Sequence, residues 1–182
     1  MNTDVLITQW LNSFSRVSWP LDELMIVLSS LDVHVMVIIV APGWWNRNDH
    51  VAKGHACLVS GLSFLSGLLL NQLLLLFIHR ARPYDAGITH LIIAPSADWS
   101  FPSDHATAVA AIVSAAWLRH QQSFALGLSL LGLLICISRV YVGIHFASDI
   151  LGGIATGMLA SFIVQAVYQE ENRISRWLVK LF

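Results

Sequence analysis

Hydrophobic and polar residues are arranged along this chain in two different ways. From Asp4 to Trp19 they interleave with helical period. Ile7, Trp10, Leu11, Phe14 and Val17 form one stripe, while Thr8, Gln9, Asn12, Ser13 and Arg16 fall elsewhere. With Trp19 as a further anchor and Pro20 as a stop, residues 1–20 are expected to form an amphipathic helix lying in a membrane interface. Beyond it come long apolar runs at 24–41, 54–78, 104–118, 124–141 and 148–168. Most approach the roughly 20 residues a helix needs to cross a bilayer. Pro42-Gly43 ends the first run, and Trp44-Trp45 marks a membrane surface. Residues 79–104 are polar, with one apolar patch too short to span, and are expected to cover a site. The tail from Gln169 turns amphipathic, with Trp177, Leu178, Leu181 and Phe182 suited to the interface. The expected fold is all-α: an integral membrane helical bundle of about five transmembrane helices plus an N-terminal interfacial helix, forming a single domain over residues 1–182.

Composition supports the membrane class. The chain is 56% hydrophobic and 12% charged, with mean hydropathy +0.67, whereas soluble domains carry about twice that share of charge. A net charge of −1 gives no electrostatic case for nucleic acid. Cys57 and Cys136 lie in apolar runs and read as packing residues. Asp4 and Gln9 interrupt the N-terminal segment, which therefore does not read as a cleavable signal. Asp32 and His34 sit within the first span, where a charge must face the bundle interior. Gly153 and Gly157, continued by Ser161, form a small-residue face; helix packing is its default use and a homo-oligomer contact the lesser one.

Five alternating spans put residues 79, 104, 139 and 145 on one side of the membrane. The opposite side carries Arg47, Lys53, Arg119, Arg173, Arg176 and Lys180, against Arg16, Arg80, Arg82 and Arg139 on the site side. The positive-inside rule then points the site outward.

Three polar blocks meet on that side. The stretch 138–149 holds Arg139, His145 and Asp149, the last two four residues apart. On a helix from about Ile144, the Asp149 carboxylate would share a face with the His145 ring and accept its N–H. An ion pair at a helix start is the plainer reading. The stretch 101–105 brings Ser103, Asp104 and His105, and 79–84 brings His79, Arg80 and Arg82. Arginine forks and helix-start N–H groups suit phosphate oxygens. No cysteine cluster or H-E-x-x-H pattern offers a metal site, and no cofactor is expected.

Together the blocks resemble the signature of the type 2 phosphatidic acid phosphatase (PAP2) superfamily: Lys-x6-Arg-Pro, Pro-Ser-Gly-His and Ser-Arg-x5-His-x3-Asp. The third block matches at Ser138, Arg139, His145 and Asp149, and the second at Pro102, Ser103 and His105, with Asp104 in place of glycine. The first matches at Arg82 and Pro83, but Leu75 stands where the pattern has lysine. The resemblance implies that His145 attacks phosphorus, with Asp149 orienting its ring. Arg82, Arg139 and Ser103 would stabilise the five-coordinate transition state, and His105 would protonate the leaving oxygen. His79 or Arg80 would replace part of the missing lysine charge. Asp104 lies beside the phosphate position, where a carboxylate is unfavourable unless it points away or serves a basic leaving group. FPSDH with H-x-R-P looks most like the bacitracin-resistance type of undecaprenyl-diphosphatase. That likeness implies a polyprenyl diphosphate substrate in a bacterial inner membrane, with the site facing the periplasm or exterior. The alternatives are a phosphatase for phosphatidic acid, phosphatidylglycerophosphate or a lipid A phosphate, and, outside enzymes, a lipid transporter or binding protein. The last is disfavoured because the charges gather at one membrane face instead of the midplane.

Overall fold

The computed structural model describes residues 2–30, 38 and 50–180. Asp32, His34, Pro42-Gly43, Trp44-Trp45 and Arg47, on which several expectations rest, lie outside the described residues. The described elements are helical: α1 (Thr3–Asn12), α2 (Trp19–Ser30), α3 (His50–Leu75), α4 (Asp104–Leu118), α5 (Gln122–Tyr141), α6 (Ala147–Val167) and α7 (Arg173–Lys180).

The segments Val51–Leu75, Gln122–Tyr141 and Ala147–Val167 are long and apolar enough to cross a membrane. At 15 residues α4 is shorter, a rod of about 22 Å, because its first turn belongs to the polar site. The first expected span begins with α2 and continues beyond the described residues.

The N-terminal helix is shorter than the Asp4–Trp19 pattern predicts. It is capped by Asn2, whose side chain accepts the Asp4 N–H at 3.1 Å, and it ends at Asn12. Arg16 then takes a left-handed φ of 66°, and its N–H donates to both Asp22 carboxylate oxygens. Pro20, read from sequence as a stop, sits in the first turn of α2, where a missing N–H costs nothing.

The bundle centre is the α4–α6 pair, with α3 against both. Six alanines keep α4 thin on its buried faces: 106, 108, 110, 111, 115 and 116. Gly157 answers them: a Cβ there would run into the Thr107 carbonyl oxygen. Gly153 and Gly157 are both buried in this contact, which is the helix packing expected of that face. This close approach holds the starts of α4 and α6 side by side.

Candidate active site

The ends of α3 and α5 and the starts of α4 and α6 do converge. The Ser103 N–H, at the N-cap of α4, donates to the Asp149 carbonyl in the first turn of α6 (3.1 Å). The Arg82 guanidinium, beyond the end of α3, reaches the Ile144 carbonyl (3.1 Å) in the turn from α5 to α6. That turn depends on Gly143, whose φ of +86° suits glycine and whose absent Cβ would lie 2.5 Å from the His90 carbonyl oxygen. The helix after it begins at Ala147, so His145 stands in the turn just before α6 and not on the helix.

His145 is 3% exposed. Its Nδ1 lies 2.9 Å from the Ser100 carbonyl oxygen, which can only accept, so Nδ1 carries the proton. Nε2 then presents a lone pair, 3.5 Å from Arg82 Nη1. Asp149 is fully buried, with Oδ2 3.6 Å from the same Nδ1. The main-chain carbonyl of Ser100 is thus the nearer acceptor for the N–H expected to go to Asp149. Burial, reinforced by the positive charges of Arg139 and Arg82, outweighs the Asp149 contribution and lowers the His145 pKa to about 4. The ring is neutral at physiological pH, the state a nitrogen nucleophile requires.

Asp149 is itself held from three sides. Oδ2 accepts the Ser100 hydroxyl at 2.5 Å and the Phe146 N–H at 2.8 Å, and Oδ1 accepts Arg80 Nη1 at 2.7 Å. The Phe146 contact is the carboxylate half of a capping box. Ser100 and Arg80 also join through their main chains, Ser100 N–H to Arg80 carbonyl at 2.8 Å.

The arginines divide their work. Arg82 is 5% exposed and is anchored on the Asp98 and Trp99 carbonyls, at 2.8 and 3.3 Å, and on the Ser96 hydroxyl. Its loop contacts use Nε and Nη2, while Nη1 lies between the Ile144 carbonyl and His145, and burial lowers its pKa. Arg139 is buried at the end of α5, where Nη1 donates to the Ser29 carbonyl (2.9 Å) and hydroxyl (2.8 Å). Arg80 spends Nη1 on Asp149 and Ser148 and Nη2 on Asp4, and its guanidinium stacks 3.8 Å from the Phe146 ring centroid. His79 is exposed and lies against Trp99, with ring centroids 5.1 Å apart.

In the second block, Ser103 is fully buried, yet its hydroxyl has no hydrogen-bond partner among the described residues. At the N-terminus of α4, such a hydroxyl can donate to an anionic ligand oxygen beside the helix-start N–H groups. His105 follows at the second position of α4, half-buried. Asp104 turns toward α3, where Oδ1 accepts the Asn71 amide at 2.7 Å. Asn71 also donates to Thr107 (2.8 Å) and accepts from Thr156 (2.9 Å), a polar cluster that ties α3, α4 and α6 together beneath the site.

Sequence reasoning missed four contributors: Ser100, Asn71, Ser148 and Asp4. Ser100 directly precedes a recognised block. Asp4 carried a weaker signal, as one of the polar residues at four-residue spacing with Thr8 and Asn12.

A family model described as the PAP2 superfamily matches residues 56–173. The undecaprenyl-diphosphatase BcrC of Bacillus subtilis (strain 168) is 33% identical over 143 residues, covering 79% of this chain and 72% of that protein. Phosphatidylglycerophosphatase B of the same organism is 33% identical over 122 residues, covering 62% of this chain and 58% of its own length. The crystal structure of a transmembrane PAP2 type phosphatidylglycerolphosphate phosphatase from Bacillus subtilis superposes with a TM-score of 0.71. Its sequence is 26% identical, and the match covers 94% of this chain and 87% of that one.

Proposed function

The chain belongs to the PAP2 superfamily of membrane lipid phosphatases, and from that premise we propose that it hydrolyses undecaprenyl diphosphate to undecaprenyl phosphate and inorganic phosphate. The observation that carries the mechanism is His145, a buried neutral imidazole with its Nε2 lone pair beside Arg82. Nε2 attacks the terminal phosphorus, the bridging P–O bond breaks, and His105 gives a proton to the departing lipid phosphate. Arg82, Arg139 and the orphaned Ser103 hydroxyl take the equatorial oxygens, where their hydrogen bonds shorten as charge develops. Water, deprotonated by His105, then attacks the phosphohistidine; the P–N bond breaks and phosphate leaves. No metal ion or cofactor enters these steps. In this reading the site opens on the outer face of a bacterial plasma membrane, where the lipid carrier is recycled.

The choice of substrate is supported by likeness to the undecaprenyl-diphosphatase, which extends over most of both chains. A second reading, hydrolysis of phosphatidylglycerophosphate, is favoured by the equal identity to the phosphatidylglycerophosphatase over a shorter stretch and by the matching fold. Phosphate release from a panel of purified lipid mono- and diphosphates in detergent separates the two. Faster turnover of the polyprenyl diphosphate is expected. Faster turnover of phosphatidylglycerophosphate would transfer the assignment, and full activity in His145→Ala would overturn the phosphohistidine.

A further inference from the structure

Helix α1 is amphipathic in the inverted sense. Its apolar side chains Leu6, Ile7 and Trp10 are exposed, and its polar residues Thr8 and Asn12 are buried. The inward stripe fastens the segments that build the site. Asn12 bonds the His90 N–H and carbonyl and the Tyr141 carbonyl, at 2.7 to 2.9 Å. Thr8 accepts the Ala147 N–H at 3.0 Å. Asp4 does the most: Oδ1 accepts the Ser148 N–H at 2.8 Å, and Oδ2 accepts the Ser148 hydroxyl and Arg80 Nη2, each at 2.6 Å.

Arg80 thus lies between two carboxylates. Nη2 is held by Asp4 and Nη1 by Asp149, while Phe146 supports the flat face of the guanidinium. Nη1 gives both its hydrogens to Ser148 and Asp149 and Nη2 gives one to Asp4, so the groups that fix its orientation all belong to the protein. We propose that Asp4 is a positioning residue for the hydrolytic reaction: it holds the Arg80 guanidinium against Asp149, and so sets the carboxylate that backs His145. The inference rests on the phosphohistidine reading and reassigns Arg80 from substrate binding to the support of Asp149.

The expected effect follows from charge. The groups facing His145 are Asp149 from α6, Arg82 from the loop after α3 and Arg139 from α5, with the Ser100 carbonyl on Nδ1. Arg80 acts through Asp149 by offsetting part of its negative charge. With the guanidinium gone or swung aside, the full carboxylate charge acts on the ring 3.6 Å away and favours the imidazolium. The protonated ring is not a nucleophile, so the acid limb of kcat/KM moves to higher pH. A role in packing alone would lower the yield of folded protein and leave that limb in place.

The test uses purified full-length chain in detergent, a short-chain polyprenyl diphosphate, and five variants: Asp4→Asn, Asp4→Glu, Arg80→Gln, the Asp4→Asn/Arg80→Gln double, and His145→Ala. Asp4→Asn keeps the shape and an acceptor for the Ser148 N–H, but it puts an amide N–H₂ where Oδ2 accepted Arg80 Nη2, donor against donor, and so turns the guanidinium away from Asp149. It is expected to lower kcat about tenfold, the scale of one charge-assisted hydrogen bond, with KM little changed. Its acid limb should rise, as in Arg80→Gln. The double variant should be no slower than Arg80→Gln, because Asp4 acts through Arg80. Asp4→Glu should recover part of the rate. Wild-type kcat and an unmoved limb in folded Asp4→Asn, a limb that moves to lower pH, or losses that multiply in the double variant would each overturn the proposal. His145→Ala separates the two levels: if it is inactive while Asp4→Asn is normal, only the inference falls, and if it is active, the reading beneath it falls.

Discussion

Ser100→Ala is the sharpest probe of how the nucleophile is held. Ser100 has no solvent exposure, and its two oxygens do different work: the carbonyl takes the His145 Nδ1 proton and the hydroxyl donates to Asp149 Oδ2. Alanine keeps the first and removes the second. Asp149 would retain the Phe146 N–H at 2.8 Å and Arg80 at 2.7 Å, but it would lose its shortest donor, at 2.5 Å. A hydrogen bond to an ionised group contributes about 1.5–3 kcal/mol, so a loss of that size in stability is expected. If the whole loss is expressed in the transition state, kcat falls by roughly ten- to a hundredfold. The carbonyl still fixes the tautomer, so KM should change little. Ser100→Cys, with its weak S–H donor, should fall between the two. The assay is kcat and KM for phosphate release, beside thermal unfolding in the same detergent. Wild-type values of both kcat and melting temperature in Ser100→Ala would refute the reasoning, because Asp149 would then be held well enough without this contact.

The burial of His145 predicts a pH dependence of stability. Its folded pKa of about 4 lies below the ordinary 6.5, so the unfolded chain binds more protons between those values. Stability is therefore present above 6.5 and lost as pH falls toward 4, by about 3 kcal/mol in all, and His145→Asn should flatten the melting temperature over that window. Vanadate, as a five-coordinate phosphorus mimic, should inhibit, and chelators should leave turnover intact because arginine and serine groups serve the phosphate oxygens; activity lost to EDTA and restored by zinc or magnesium would contradict this. An impermeant thiol reagent applied to intact cells should label a cysteine at the exposed Ala97 and spare one at the exposed Glu171, in a background without Cys57 and Cys136. The opposite pattern would put the site in the cytoplasm.

The apolar runs from Gly54 onward were legible because a spanning helix must be apolar along most of its length, whatever it packs against. The blocks at Arg82, Ser103 and His145 were legible because each packs several chemical groups into a few residues. The acceptor for the His145 N–H was not, since it is a main-chain carbonyl and leaves no trace in residue type. Asp4 was read only as an interruption of the N-terminal apolar pattern, because its partners lie 76 and 144 positions away. Periodicity separated the two faces of α1 but cannot say which neighbour each face meets. The early end of that helix follows from Arg16 and Asp22, a local turn that an amphipathic pattern passes straight through. Asp104 could be recognised as an unfavourable neighbour for phosphate, but its turn toward Asn71 needed the third dimension.

The left-handed turn at Gly143 makes the interval from Arg139 to His145 a ruler of fixed length. At one end it is bound by Arg139 to Ser29, and at the other by the Ile144 carbonyl to Arg82 and by His145 to Ser100. One added or missing residue would carry His145 off its acceptor while leaving both helices intact. The loop at Asp85, Ala86 and Gly87 is different: it is exposed, and extra chain there would hang into solvent. Length variation among related chains should therefore collect at 85–87 and avoid 139–149, and engineered insertions should be tolerated in the first place and abolish turnover in the second.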